Sequence, residues 1–211
     1  MRYDAQMTNF IFNDGDSVAQ IRDEIASLAA KFIAEEGAEY GAAKRRAVKQ
    51  LLGNQKLNGN ILPDNAQIEQ EVREYQALFF ADTQPARLLH LRQLAAVLMQ
   101  ELAQFNPYVI GAVFNGTAGE HSDIYLHLYT DNSKDVAIFL LNLGIDYEVS
   151  EHQGKRGEAL ETLSFIYKNE GVHLLVHAMD DLRHTDKNGR GNLNNLQTLI
   201  ETIESPKEHD E

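Results

Sequence analysis

The chain changes period halfway along its length. Ile21, Ile25, Leu28 and Phe32 recur at helical spacing. They predict an amphipathic helix over about 17–35, opened by a capping box at Ser17-x-x-Gln20. Ala43, Ala47, Val48 and Leu51 predict a second helix over 39–52, with Gly53 as its stop. Residues 53–64, rich in Gly, Asn and Pro, read as a loop. Asp64-x-x-Gln67 then caps a helix whose stripe is Ile68, Val72, Tyr75 and Phe79. Thr83 is placed to cap the next helix, with Pro85 in its first turn and Leu91, Leu94, Leu98 and Leu102 on its buried face.

After Asn106-Pro107 the period shortens. Residues 108–114 are almost continuously apolar and predict a central strand. Residues 123–129 alternate Ile124, Leu126 and Leu128 against Asp123, Tyr125 and His127, which predicts a strand with one apolar face. Ser133 is placed to cap a helix carrying Val136, Phe139, Leu140 and Leu143, closed by Gly144. Residues 145–150 read as a third strand. Residues 160–167 and 172–178 read as a hairpin around Lys168-Asn169-Glu170-Gly171. Asp186-Lys187-Asn188-Gly189 is a turn, Leu196, Leu199, Ile200 and Ile203 support a last helix, and an acidic, disordered tail is expected from Ser205. This predicts an α+β protein in three parts. They are a helical region over 1–82, an α/β domain over 83–185, and a C-terminal helix and tail over 186–211. The helical region is expected to pack on the small mixed sheet.

Composition narrows the chemistry. The chain has 211 residues and no cysteine, so disulfides, thiolate zinc sites and a cysteine nucleophile are excluded. A formal charge of -13 argues against nucleic acid and anionic membranes as partners. No apolar run is long enough to span a bilayer. No secretory signal is apparent at Met1–Gln6, and a cytoplasmic protein is the plain expectation. Lys44-Arg45-Arg46 with Lys49 reads as a solvated helix face, or as a contact for phosphate or an acidic partner.

The stretch Phe114-Asn115-Gly116-Thr117, a polar loop, then Ser122-Asp123-Ile124-Tyr125 carries the candidate chemistry. A helix, an apolar strand ending in glycine and a hydroxyl residue, and a carboxylate opening the next strand resemble the small nucleotidyltransferases. The resemblance spans roughly 83–180. Ala42-Ala43-Lys44-Arg45-Arg46-Ala47 and Glu74-Tyr75-Gln76-Ala77-Leu78-Phe79 extend it to a bacterial group of nucleotidyltransferase-domain proteins. The resemblance implies transfer of a nucleotidyl group from an NTP, with Mg²⁺ held by Asp-x-Asp and a third acid on a neighbouring strand. Two ions would stabilise the attacking and leaving oxygens, and a hard cation wants carboxylates.

Mapped onto this chain, Gly116 and Thr117 take the phosphate-holding turn and Asp123 the first acid. Tyr125 stands at the second acid's position and His173 at the third's. A neutral phenol and an imidazole are poor Mg²⁺ ligands. The implied protein is therefore nucleotidyltransferase-like with a degenerate metal site and weak or no transfer activity. It would retain nucleotide binding through Gly116 and Thr117, or serve as an interaction module for a protein partner. Two further readings stay open. An acid displaced to Glu120, Asp131, Glu170 or Asp180 would restore the metal site, or Asp123, His127 and His173 would take a transition metal. His173 and His177 share a strand face. His121-Ser122-Asp123 has the residue types of a hydrolytic triad, but neighbours in sequence rarely assemble that geometry. Gln153-Gly154-Lys155-Arg156-Gly157 lacks the spacing of a nucleotide-binding loop. Arg183-His184 with Lys187 and Arg190 reads as a solvated turn.

Overall fold

A computed structural model describes residues 15–53, 61–153, 159–183 and 189–204. The Ser17 cap side chain, the 153–157 loop, most of the 186–189 turn and the tail from Ser205 lie outside the described residues or side chains. The chain divides into two compact units, Met1–Phe79 and Phe80–Glu211. No helix among the described residues is long and apolar enough to cross a membrane.

The first unit holds α1 (Gly15–Glu36), α2 (Tyr40–Leu52) and α3 (Asn65–Phe79). Its core is Ile25, Ala26, Ala29, Ala30, Ala43, Ala47, Ile68 and Val72, all buried. Alanines on the facing sides of α1 and α2 let the two helices approach closely. Gly53 closes α2 at φ +63 and donates its N–H to the Lys49 carbonyl. The Asp64 box forms as expected: Gln67 N donates to Asp64 Oδ1 at 2.8 Å, and Asp64 N donates to Gln67 Oε1 at 3.1 Å. The predicted stripe of α3 needs correction. Gln76 is buried beside Ile68 and Val72, whereas Phe79 is 65% exposed. The basic run of α2 is tied into this unit. Lys44 donates to the Pro63 carbonyl, and Arg46 forms a bidentate pair with Glu36 above the Phe32 ring.

The second unit begins with α4 (Gln84–Glu101). Then come β1 (Tyr108–Ile110), α5 (Gly111–Asn115), β2 (Ile124–Thr130), α6 (Ser133–Asn142), β3 (Glu148–Gln153), β4 (Ala159–Tyr167), β5 (Glu170–Ala178), β6 (Arg190–Gly191) and α7 (Leu193–Glu204). The strands form one mixed sheet in the order β3-β4-β5-β2-β1-β6, with β2 and β5 parallel and every other pair antiparallel. This is the α+β class. Leu91, Leu98, Leu102, Ile124, Leu126, Leu128, Val172, Leu174, Leu163 and Leu196 form its core. The alternation in β2 does what period two requires: Ile124, Leu126 and Leu128 are fully buried, and Tyr125 and His127 stand on the other face.

Five local expectations change. The 108–114 run is not one central strand. Gly111 at φ +65 turns the chain after Ile110, and 111–115 are helical. The middle of the sheet is β5 and β2. The third strand is 148–153 and lies at an edge, because Ile145 and Tyr147 are apolar for packing against the core, not for pairing. Thr83 sits at the start of α4 without a side-chain cap bond, and Asn132, not Ser133, caps α6 by accepting from Lys134 N. The hairpin turn is only Lys168-Asn169, at φ +50 and +69, so Tyr167 pairs with Glu170. Two left-handed central residues match the twist of the strands they join.

Candidate functional site

The N-terminal half of α4 latches the loop that delivers Asp123. Gln84 Nε2 donates to the Gly116 and Ala118 carbonyls, both at 3.0 Å. Arg87 donates to the Gly119 and Glu120 carbonyls at 3.3 and 3.2 Å and forms a bidentate pair with Glu170 at the start of β5. His90 Nε2 approaches the same carboxylate at 3.2 Å. The Arg87 guanidinium holds the Glu170 carboxyl below its ordinary value, with burial working against it. The pairing raises Arg87 in turn. One turn further on, Arg92 is 5% exposed and donates to the Val113 and Phe114 carbonyls at 3.0 and 3.1 Å. Its guanidinium caps α5, and burial lowers its pKa.

Asp123 ends this loop beside β5. Its Oδ2 lies 3.1 Å from His173 Nε2. The other imidazole nitrogen, Nδ1, lies 2.9 Å from Ser164 Oγ on β4. The Tyr125 ring stacks on the imidazole with centroids 4.5 Å apart and planes 21° apart. Parallel pairing places Tyr125 opposite His173, and antiparallel pairing places Ser164 opposite it from the other side. Three strands thus converge on one histidine.

These groups open onto a cavity of about 960 Å³ lined by Asp123, Ser164 and His173. Glu120, Asp146, Glu148 and Glu170 add carboxylates to the same wall, and among the described residues Arg87, already bonded to Glu170, is the arginine that lines it. The cavity is strongly acidic.

The sequence-predicted residues separate into two places. Asp123, Tyr125 and His173 come together. Gly116 and Thr117 do not join them on the cavity wall. Gly116 caps α5 at φ +91, next to Arg92, and Thr117 is 3% exposed with its hydroxyl donating to Asn115 Oδ1 at 2.7 Å. The glycine that follows the strand is Gly111, and Ala112 after it brings no hydroxyl. Gly116 and Thr117 stand away from the strand end for a physical reason: the strand ends four residues earlier than the apolar run does.

Among the displaced-acid candidates, Glu120 lines the cavity, Glu170 is committed to Arg87, and Asp131 lines a separate cavity of about 390 Å³ with His177. Among the described residues, no group of three or more His, Asp or Glu side chains is disposed to hold a metal ion. At the three mapped positions one carboxylate faces a phenol and an imidazole, so the set does not fit a pair of Mg²⁺ ions. His127 lies against His177, with ring centroids 4.3 Å apart, and His177 stacks on Tyr129 at 5.2 Å. These histidines belong to a ring ladder on the sheet.

Ser164, Arg87, Asp146 and Glu148 were not singled out by their sequence context. Ser164 had one available signal: it alternates with buried Leu163 and Phe165, which puts it on the polar face. Ser122, the serine adjacent to Asp123 in sequence, instead accepts from Gly119 N at 3.0 Å. No protein-family model matches the chain, and no curated protein matches it.

Proposed function

We propose that the second unit is a nucleotidyltransferase-like domain whose metal-dependent transfer chemistry is weak or lost. Its cavity at Asp123 acts as a ligand site. The observation that supports this reading is the convergence of Asp123, Tyr125 and His173, with Tyr125 stacked on His173 and with Asp123 and His173 lining one cavity. They are the three positions the resemblance assigns to acids, and one of them is an acid. The strand-turn-helix unit at Ile110–Gly111, followed by a loop to Asp123 at the start of β2, adds to it.

The cavity wall also bears on the ligand. A bare triphosphate would meet Glu120, Asp123, Asp146 and Glu148, while Arg87 is committed to Glu170. Like charges at close range are costly. A nucleotide would therefore bind only as a metal complex, and weakly. Polar groups converge on this wall at Asp123, Ser164 and His173 beside the apolar Phe165 and Ile166, a mixture that favours a ligand site over docking of a protein partner there.

The test is a thermal-shift titration of the intact chain with ATP, CTP, GTP and UTP, each with and without Mg²⁺ or Mn²⁺. A ligand at about 100 times its Kd stabilises a fold by roughly 2.7 kcal/mol, a shift of several degrees at this size. The expected result is at most a small shift at millimolar nucleotide, seen only with the metal present and without nucleotidyl transfer. A nucleotide-selective, metal-dependent shift accompanied by nucleotidyl transfer would overturn the reading.

A further inference from the structure

We propose that Ser164 is the nucleophile of a metal-independent acyl-transfer centre, with His173 as its base and Asp123 positioning His173. The inference does not rest on the nucleotidyltransferase reading. It rests on a continuous hydrogen-bonded chain whose three members all line one cavity.

The roles follow from the bonds. A carboxylate accepts only, so the Asp123 bond fixes the imidazole proton on Nε2. Nδ1 then carries the lone pair, and it faces Ser164 Oγ at 2.9 Å. A hydroxyl adjacent to a base that a third group orients is the signature of an activated nucleophile. The three residues come from β4, β5 and the loop before β2, so the arrangement is assembled by the fold and not by sequence adjacency. Tyr125 stacked on the ring holds its plane. The side chains of Asp123 and His173 remain partly accessible, 44% and 24% exposed, so a substrate can reach the chain.

The step balances without a cofactor. Ser164 Oγ attacks the carbonyl carbon of an ester, and its proton passes to His173 Nδ1. The alcohol leaves with that proton, and an acyl-serine remains. Water then attacks, gives a proton to His173, and the acid and the free serine are restored. The carboxylate-lined wall selects neutral or cationic esters over anionic ones. General-base assistance of this kind contributes about 10²–10⁴ in rate, so activated electrophiles are the sensitive probes.

The experiment uses the intact chain with a fluorophosphonate in the presence of EDTA near neutral pH. An oxygen–phosphorus bond forms as the phosphorus–fluorine bond breaks; the serine proton passes to His173 Nδ1 and fluoride departs as the anion. The expected result is a single adduct that peptide mass spectrometry places on Ser164, and that is lost when the chain is unfolded in urea before labelling. Ser164→Ala removes it. His173→Gln slows labelling by about 100-fold or more. Asp123→Asn slows it less, and Asp123→Glu recovers part of the rate. Absence of an adduct at Ser164, or labelling that persists in urea, would overturn the proposal. So would a rate unchanged in folded His173→Gln.

Discussion

The carboxylate of Asp123 lies directly over the Cα of Gly171. A Cβ built at position 171 would stand 2.6 Å from Asp123 Cγ and 3.0 Å from Oδ2. The backbone of Gly171 is not left-handed, so this glycine is present for space and not for conformation. Gly171 precedes the Val172 that pairs with Ile124, which puts it beside Asp123 across the parallel β2–β5 junction. The vacancy above Gly171 lets Asp123 lean across β5 and reach His173.

Replacing Gly171 by Ala therefore forces the Asp123 side chain to move. Overpacking of this kind costs about 1–3 kcal/mol. The loss should shrink to within about 0.5 kcal/mol in an Asp123→Ala background, where the clashing atoms are gone. The two residues touch, so a double-mutant cycle should show coupling. Urea unfolding of the four proteins measures it, and additive losses would mean that the carboxylate does not occupy the space over Gly171.

Arg87 and Glu170 give a pH-dependent prediction. The side chains are 25% and 12% exposed, and Arg87 also holds two loop carbonyls. Arg87→Ala should cost about 2 kcal/mol, because it strands a charged group and two carbonyls. The sign of the pH effect follows from Glu170. Its folded pKa lies below the ordinary carboxylate value, so its contribution is complete above that value and is lost as pH falls through the depressed one. Glu170→Gln should be less stable than the parent at neutral pH and should lose less on acidification. Melting temperatures across pH 3–7, a range that brackets the carboxylate titration, would check this; parallel curves for the two proteins would refute it.

Arg92 supplies a second test of the loop's anchorage. It is a buried guanidinium whose described bonds go to carbonyls of residues 113, 114 and 199. Lys cannot reproduce the planar fork, so Arg92→Lys should recover little of what Arg92→Ala loses. The expected loss for Arg92→Ala is about 3 kcal/mol, from unsatisfied carbonyls plus the cavity left behind. Chemical denaturation reads it directly, and a Lys variant as stable as the parent would show that charge alone holds the loop.

Period and caps made most of the fold legible in the sequence. Leu91, Leu94, Leu98 and Leu102 are the buried face of α4, and Ile124, Leu126 and Leu128 are the buried face of β2. The misreadings came from apolar residues with two uses. Val113 and Phe114 read as strand, yet they pack from a short helix that Gly111 begins. The site was half legible for a more specific reason. Asp123 and His173 could be placed from strand order, but Ser164 depends on register. A four-residue turn at 168–171 would set Ile166 opposite His173. The two-residue turn Lys168-Asn169 sets Ser164 there instead. Nothing in the Lys168-Asn169-Glu170-Gly171 composition alone chooses between those registers, because both Asn169 and Gly171 tolerate a turn. Arg87 was hidden differently: its partner is 83 positions away, beyond the reach of local pattern.

The mapped positions can be converted to the acids that the resemblance implies. Tyr125→Asp with His173→Asp would place three carboxylates around the start of β2 and β5, with Gly171 leaving room beneath them. Without a divalent ion they repel one another, so the double variant should melt below the parent at neutral pH and low salt. A cation that fits should reverse the loss, since binding to the folded state alone stabilises by mass action, about 2.7 kcal/mol at 100 times Kd. Mn²⁺ and Mg²⁺ should both raise the melting temperature of the variant and leave the parent unmoved, and Mg–NTP should then shift it further. The parent's own Asp123–His173 bond is absent from the variant, so the Ser164 adduct should vanish as the metal response appears. A variant that stays insensitive to both ions would separate Asp123, Tyr125 and His173 from a metal site of the implied kind.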